Sequence, residues 1–472
     1  MTDLPLTLTD AAAQLRDGTI TSVELLRGMS ARADEHDQAL GVYLARFDDE
    51  ALASAERADA ELSAGLDRGP LHGVPIGVKD ILAMSEGPTT AQSLVLDPAW
   101  GAGKDAPVVS RLRAAGAVLT GKLSTMEFAC GAPDPEKPFP LPRNPWDPAT
   151  WAGGSSSGSG AGVAAGMMYA GVGTDTGGSI RIPAIFCGVS GLMPTFGRVP
   201  KSGCTPLGYS LDHIGPLARS ARDCGAFLQA IAGPDPTDPD TRDRPVPDFC
   251  ATADGRLDGV RVGVERANHL GDQDDPALLG VFEQAVAQLE ALGATVVEVV
   301  IPHYQEALTA MLVTCQAEML AYHLPDLQTR WGDFFRTTRT MAAVGALFSG
   351  ADYVQAQRVR RVAQRGLASV FADVDLIVAP AARAGAPTMD EVVAGSSLTA
   401  LDRVHTAYWD AVGNPALVVP MGFTDGGLPL SLQLAARPFE EALLVRAGDA
   451  FQQATDWHLR VPPLVAETAV GA

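Results

Sequence analysis

Residues 153–160 read GGSSSGSG, and residues 173–183 read GTDTGGSIRIP. The first segment is not a nucleotide-phosphate loop, because no lysine follows its last glycine. It contains the G-x-S-x-G pattern of a nucleophile elbow, centred on Ser156, and that pattern needs a strand directly before it. Residues 144–150, NPWDPAT, cannot form a central strand because two prolines interrupt them. The sequence therefore disfavours the elbow, which stays as an alternative.

The second segment places two glycines directly before Ser179. Glycine tolerates backbone conformations that let successive N–H groups point at one place. Such a cluster of donors is how an oxyanion hole is built, and the serine stands at its edge. An ordinary glycine turn with a capping serine would explain this segment if it stood alone. Its combination with the other two unusual segments favours the catalytic interpretation.

A lysine at the end of an apolar run is the third unusual feature. Residues 73–80 read GVPIGVKD, so Lys79 is predicted to end a buried strand. The simpler alternative is a long side chain that reaches solvent. Only five of the 35 basic residues are lysines, and all of them lie between positions 79 and 201. Lysine can become neutral whereas arginine cannot, although chance and genomic bias could also produce this clustering.

Composition excludes several classes of function. The 472 residues, 46% of them hydrophobic and 19% charged, are typical of a globular protein with a large core. The net charge of −21 opposes binding to nucleic acid. The eight histidines and six cysteines form neither H-E-x-x-H nor C-x-x-C, so no metal site is predicted. With no export signal and no apolar stretch long enough for a bilayer, we expect a cytoplasmic protein that does not bind membranes.

Periodicity along the chain predicts alternating helices and strands. Thr21 and Glu24 form a capping box ahead of a first helix. A strand at 260–264, a helix opened by Asp275 and a strand at 294–300 form a β-α-β unit. Further helices are predicted at about 48–66, within 305–349 and at 352–371. A proline-rich loop is predicted at 131–150, and a loop rich in glycine and serine at 151–162, with a helix after it. Further strands are predicted at 117–120, 375–379, 416–420 and 429–434. This alternation indicates an α/β fold around a central, largely parallel or mixed sheet.

Together the three segments resemble the amidase signature family, with little departure from its motifs. The resemblance is strongest over 71–82, 105–130 and 143–200, and weaker stretches extend it to residue 463. It implies one large α/β domain, 1–472, with a central mixed β-sheet flanked by helices on both faces. Its expected parts are a helical N-terminal segment (1–70), a catalytic core (71–232), an exposed crossing loop (233–258) and the remainder of the fold (259–472). Within this last part, 303–350 is a possible substrate cap.

The resemblance also implies the roles of individual residues. Ser179 matches the nucleophile, and Lys79 matches the general base. Ser155 matches a bridging serine that is held by a cis peptide bond, and its spacing from Ser179 decides for it over Ser156 and Ser157. The N–H groups of the oxyanion hole would come from Thr176, Gly177, Gly178 and Ser179. Asp175 and Arg181 would stabilise the turn that carries these groups.

The residue types themselves favour a proton relay between serine and lysine. A serine hydroxyl needs a base within hydrogen-bond reach, and no histidine here has a motif partner. Lysine serves only when it is neutral. A pKa of about 7.5 in place of about 10.4 corresponds to about 4 kcal/mol, which burial can supply. Ser155 would relay the proton between Ser179 and Lys79, and the relay would later protonate the leaving amine to give an acyl-enzyme.

We therefore expect an amidase that cleaves a small-molecule amide or carbamate without a cofactor. Met126, Phe128 and Gly154 are expected to contact the substrate, and further apolar surface is expected from Phe334, Phe335, Met341 and Phe348. Together these residues indicate a neutral apolar or aryl group, although each taken singly could fill the core. The alternatives are a carbamate (urethane) or ester hydrolase and a glutamine-dependent amidotransferase A-type subunit. A homodimer is plausible for this family.

Overall fold

The computed structural model describes residues 4–395 and 402–470. Its helices are α1 (Leu8–Asp17), α2 (Ser22–Leu40), α3 (Asp48–Ser63), α4 (Pro107–Ala114), α5 (Ser157–Ala164), α6 (Arg181–Cys187), α7 (Ala221–Ile231), α8 (Leu278–Ala291), α9 (Tyr304–Arg330), α10 (Arg336–Val344), α11 (Gly350–Asp373), α12 (Met389–Ala394), α13 (Ala407–Val412), α14 (Glu441–Gln453) and α15 (Pro463–Val470). Its strands are β1 (Tyr43–Arg46), β2 (Pro75–Lys79), β3 (Val118–Leu123), β4 (Arg143–Asn144), β5 (Asp147–Trp151), β6 (Ala170–Asp175), β7 (Ser190–Met193), β8 (His213–Ala218), β9 (Arg261–Glu265), β10 (Thr295–Val299), β11 (Leu376–Pro380), β12 (Ala416–Phe423) and β13 (Pro429–Ala436).

Eleven strands form one sheet in the order β1-β3-β2-β6-β8-β7-β12-β13-β11-β9-β10. Parallel pairs join β3, β2 and β6 on one side and β11, β9 and β10 on the other. Antiparallel pairs link the strands between these two groups and attach β1 to β3. Helices pack on the sheet, for example α5 on β6 and α14 on β12 and β13. The prediction of an α/β fold with a central mixed sheet flanked by helices is confirmed.

The helix starts that the sequence predicts can be compared with those in the structure. The Thr21 side chain accepts from the Glu24 N–H while the Glu24 carboxylate accepts from the Thr21 N–H, so the predicted capping box is confirmed. The predicted β-α-β unit is present as β9, α8 and β10. Helix α8 begins later than predicted, at Leu278. Asp275 caps a turn ahead of the helix, where its carboxylate accepts from the Ala277 N–H at 2.9 Å.

The glycine- and serine-rich segment is helical over more of its length than we predicted. Helix α5 begins at Ser157, inside the segment 151–162 that the sequence indicates as a loop. Its residues are small because its neighbours approach closely. A Cβ at Gly158 would lie 2.4 Å from a backbone carbonyl oxygen, and one at Gly160 would lie 2.8 Å from the Pro183 side chain. The small residues here indicate close packing and not a flexible loop.

Two segments predicted to be irregular are held in different ways. The segment 131–150 contains most of the hairpin of β4 and β5, which tolerates prolines because it stands apart from the central sheet. The segment 233–258 has no helix or strand and is largely exposed, while the buried side chains of Phe249 and Leu257 pack into the main core. None of the described helices combines the length and the apolar content needed to cross a membrane.

The contact between β6 and α5 can be tested by substitution. A Cβ at Gly171 would lie 2.7 Å from the Ser159 Cβ and 2.9 Å from its Cα, so the backbone would have to move. We expect Gly171→Ala to lower the free energy of unfolding by about 2 kcal/mol, which is typical of overpacking. Gly280→Ala is the control, because a Cβ there would meet no atom within 4 Å apart from its chain neighbours and the backbone of its own helix α8; it should be neutral or stabilising by up to about 1 kcal/mol. Equal melting temperatures for the two variants would contradict the close packing.

Candidate active site

The ends of two neighbouring parallel strands bring the candidate residues together. Lys79 is the last residue of β2, and Thr174 lies one residue before the end of β6, with which β2 pairs in parallel. Ser155 and Ser156 directly precede α5, which packs on β6. Side chains from segments far apart in the sequence therefore meet at one edge of the sheet.

The amine of Lys79 is fully buried and surrounded by hydroxyl groups. Its Nζ lies 2.7 Å from Ser155 Oγ, 3.0 Å from Ser156 Oγ and 2.8 Å from Thr174 Oγ1. None of these partners carries a charge, and burial lowers the pKa of Lys79 from 10.5 to about 7. The alternative in which this side chain reaches solvent is wrong. An amine in this environment can exchange a proton near neutral pH.

Ser155 and Ser179 line the same cavity from two different segments. The peptide bond between Gly154 and Ser155 is cis, as the resemblance implies. The Ser156 N–H donates to the Ser179 carbonyl oxygen at 3.2 Å, which ties the two motifs together. The half-buried Ser179 hydroxyl makes no hydrogen bond to another described side chain or backbone group. It is free to contact a bound molecule.

The loop between β6 and α6 presents backbone N–H groups beside Ser179. The Gly178 N–H donates to the Asp175 carboxylate. This group is therefore occupied, which corrects the expectation that Gly178 contributes to an oxyanion hole. Within the described residues, the N–H groups of Thr176, Gly177 and Ser179 donate to no protein acceptor, so three of the four expected donors are unoccupied.

A buried ion network holds this loop in place. Arg181 donates to Asp175 at 3.0 Å through Nε and to Asp410 at 2.6 Å through Nη2, and all three side chains are fully buried. Against the effect of burial, the Arg181 charge lowers the pKa of Asp175, whereas burial raises the pKa of Asp410. The Thr406 hydroxyl donates to the Gly177 carbonyl oxygen at 2.7 Å. Asp175 and Arg181 thus contact the loop and not the cavity.

The cavity beside Ser179 has a volume of about 80 Å³. Met126 and Gly154, both predicted to contact the substrate, line it. Gly154 has a close neighbour, because a Cβ there would lie 2.7 Å from the Trp151 ring. No charged side chain lines the cavity in the part of the chain that the structure describes. The wall is completed by Ala129, Cys130, Gly131, Trp151, Ser155, Thr176, Gly177, Ile182, Leu207, Met311, Leu312, Cys315 and Met341.

Phe128 does not line this cavity, contrary to the prediction. Its side chain is 1% exposed, and its ring centroid lies 4.3 Å from that of His323 and 6.0 Å from that of Phe334. This aromatic cluster buries Phe128 behind the cavity wall. Phe334 and Phe335 are buried in the core in the same way. Of the four apolar residues expected from the cap region, Met341 reaches the cavity.

Ser156 does not occupy a nucleophile elbow. The strand before it, β5, belongs to the separate hairpin and not to the central sheet. The buried Ser156 hydroxyl contacts Lys79 and also accepts from the Thr174 N–H at 3.2 Å. The structural context of an elbow is therefore absent.

Three side chains of the site are not predicted from the sequence. Thr174 belongs to the segment GTDTGGS and lies on β6, where its alternation with Asp175 could have indicated which face of the sheet its side chain occupies. Thr406 and Asp410 come from a distant segment, so only the folded chain brings them to the loop. No group of three or more His, Cys, Asp or Glu side chains that could hold a metal occurs among the described residues.

Comparisons with known proteins identify the family of this chain. The Amidase family model matches residues 24–445. The A-type subunit of glutamyl-tRNA(Gln) amidotransferase from Chloroflexus aurantiacus is 39% identical, and the alignment covers 98% of this chain and 100% of that relative. The native peptide amidase from Stenotrophomonas maltophilia superposes with a TM-score of 0.85 at 30% identity, over 97% of this chain and 99% of the other.

The small number of lysines allows the ionisation of Lys79 to be measured directly. In protein with ¹³C-labelled lysine Cε atoms, we expect one resonance to titrate near pH 7, because burial favours the neutral amine. That resonance should be absent from Lys79→Met. Lys122 provides an internal comparison, since it is also buried but pairs with Asp80 at 3.2 Å. If the Lys79 resonance kept the chemical shift of a protonated amine up to pH 9, the lowered pKa would be contradicted.

Proposed function

This chain belongs to the Amidase family, and we propose that it hydrolyses carboxylic amides through an acyl-enzyme on Ser179. One observation carries the proposal: three hydroxyl groups surround the buried Lys79 amine, and none of its hydrogen-bond partners is a carboxylate. An amine with a pKa of about 7 is a competent base at neutral pH. Ser155 contacts that amine and lines the cavity with Ser179, so it can connect the base to the nucleophile.

In the first half-reaction, Ser179 Oγ attacks the carbonyl carbon of the amide. The Ser179 proton passes to Ser155 as Ser155 gives its own proton to the neutral Lys79 amine. The carbonyl oxygen becomes an oxyanion, which accepts hydrogen bonds from the N–H groups of Thr176, Gly177 and Ser179. One such donor contributes about 3 kcal/mol to the stability of the transition state.

Collapse of the tetrahedral intermediate breaks the C–N bond. The proton returns from Lys79 through Ser155 to the leaving nitrogen, so a neutral amine departs and the acyl group stays on Ser179. Water then attacks this ester in the same site, and the relay accepts the water's proton. The second collapse releases the carboxylic acid and returns a proton to the Ser179 hydroxyl, which leaves every group as it began.

The cavity wall supports a neutral apolar or aryl acyl group. Methionine side chains at positions 126, 311 and 341 and the Trp151 ring offer adaptable apolar contacts. A carboxylate or ammonium group placed there would lose its hydration without gaining a charged partner. A carbamate or an ester presents the same carbonyl group to Ser179, so these remain alternative substrates of one mechanism.

A second candidate function is participation in a glutamine-dependent amidotransferase, and the name of the Chloroflexus relative favours it. Free glutamine carries a carboxylate and an ammonium group, and both would need charged partners near Ser179. Arg358 does not supply one, because it is exposed on α11 and donates to Gln355. The uncharged wall of the cavity therefore makes hydrolysis of a neutral amide the better supported function.

We expect Lys79→Arg to reduce kcat/KM for any amide by at least about 10³-fold, equivalent to about 4 kcal/mol. Arginine keeps the positive charge but cannot lose its proton, so it cannot act as the base. Lys79→Ala should be equally inactive. Near-native activity of the arginine variant would show that Lys79 is a structural cation.

Lys122→Arg is the matched control for this substitution, because Lys122 is an equally buried lysine whose partner is a carboxylate. It should keep its activity within several-fold. In the unaltered protein, activity should rise from pH 6 to pH 8, since Lys79 becomes neutral as the pH passes its pKa of about 7. A rate that is constant over this range would contradict the relay.

We expect the isolated protein to cleave an aryl amide and to leave glutamine intact when no other protein is present. The apolar, uncharged cavity is the physical reason. Release of the aryl amine and of ammonia measures the two reactions, and Ser179→Ala should abolish the first and so control for contaminating hydrolases. Turnover of glutamine without cleavage of the aryl amide would favour the amidotransferase function instead.

A further inference from the structure

A second cavity lies directly beside the first. Its volume is about 220 Å³, and it shares the lining residues Ala129, Thr176 and Leu207 with the cavity at Ser179. It also reaches Thr174, whose hydroxyl group lies 2.8 Å from the Lys79 amine. The two cavities therefore meet at the loop that supplies the oxyanion donors.

The second cavity has polar groups that are left without partners. Thr205 and His213 both line it, and their side chains are almost completely buried. Neither Thr205 Oγ1 nor His213 Nε2 has a hydrogen-bond partner within the described part of the chain. A buried polar atom without a partner costs about 1–3 kcal/mol. Where such atoms line a cavity, a bound polar molecule can supply the missing partner.

Charges along the wall favour a hydrogen-bond donor or a cation as that molecule. The Asp212 carboxylate lines the cavity, accepts from the Thr176 hydroxyl at 2.6 Å, and has a pKa that burial raises to about 6, so it is ionised above neutral pH. Among the described residues, Lys201 is the one cationic side chain on the wall, and it is already paired with Asp238 and Asp240. The wall therefore carries an excess of negative charge.

We propose that this second cavity binds the amine part of the substrate, and that the preferred leaving amines carry an additional hydroxyl or ammonium group. The inference rests on the proposed amide hydrolysis at Ser179. Thr176 belongs to the walls of both cavities. A substrate whose carbonyl oxygen accepts from the Thr176 N–H can therefore direct its acyl group into the apolar cavity and its nitrogen substituent into the polar one.

Four amides of one aryl acid test this: the unsubstituted amide and its N-propyl, N-(2-hydroxyethyl) and N-(2-aminoethyl) derivatives. We expect kcat/KM for the two polar derivatives to exceed that of the N-propyl amide by at least about tenfold, the effect of one good buried hydrogen bond. Thr205→Val, which removes one unpartnered hydroxyl at nearly constant volume, should reduce this ratio to about twofold or less. An N-propyl amide that is cleaved as well as the polar amides would overturn the proposal.

Ser431→Ala is the matched control, because Ser431 also has a buried hydroxyl without a partner among the described residues but lines neither cavity. It should keep the full ratio, and a ratio that Thr205→Val leaves unchanged would overturn the subsite. Failure to cleave even the unsubstituted amide would instead contradict the proposed hydrolysis. Saturation-transfer NMR with N-(2-aminoethyl)acetamide and N-propylacetamide, whose amide nitrogens are both neutral, then tests the cavity alone. Selective binding of the aminoethyl compound, lost in Thr205→Val, supports it, and equal signals overturn it.

Discussion

The site depends on one lysine amine that is kept out of water and has no carboxylate among its hydrogen-bond partners. Lys79 ends a strand inside the central sheet, and its amine meets only hydroxyl groups. A pKa of about 7 in place of 10.5 means that holding this amine in its charged form costs on the order of 5 kcal/mol more than in water. The fold bears this cost because hydroxyl groups can donate to a neutral amine as well as accept from a charged one.

The other buried charges near the site are arranged so that they leave this amine unpaired. Arg181 binds the carboxylates of Asp175 and Asp410, and Lys122 binds Asp80. Each of these cations has a carboxylate partner of its own, which offsets the cost of burying it. The Asp175 carboxylate has a second role, because it also accepts from the N–H groups of the loop that carries Ser179. The same carboxylate therefore pairs a buried charge and fixes the shape of the loop that carries Ser179.

The sequence predicts those parts of this arrangement that short motifs encode. The lysine, the two serine segments and the mixed sheet follow from local patterns, because strand periodicity and glycine turns are properties of a few consecutive residues. The prediction for Phe128 fails, since the direction of a side chain within an irregular turn depends on which partners the fold supplies. The same holds for the Gly178 N–H, which a carboxylate occupies, and for Thr406 and Asp410, which reach the loop from a segment far along the chain.

The most direct test of the account is the rate at which a fluorophosphonate modifies the unaltered protein across the pH range, with the modified residue mapped by mass spectrometry. The account predicts a single adduct on Ser179, formed at a rate that rises with a midpoint near pH 7 as Lys79 becomes neutral. An adduct on Ser156 with Ser179 unmodified, or a rate on Ser179 that does not change with pH, would contradict it.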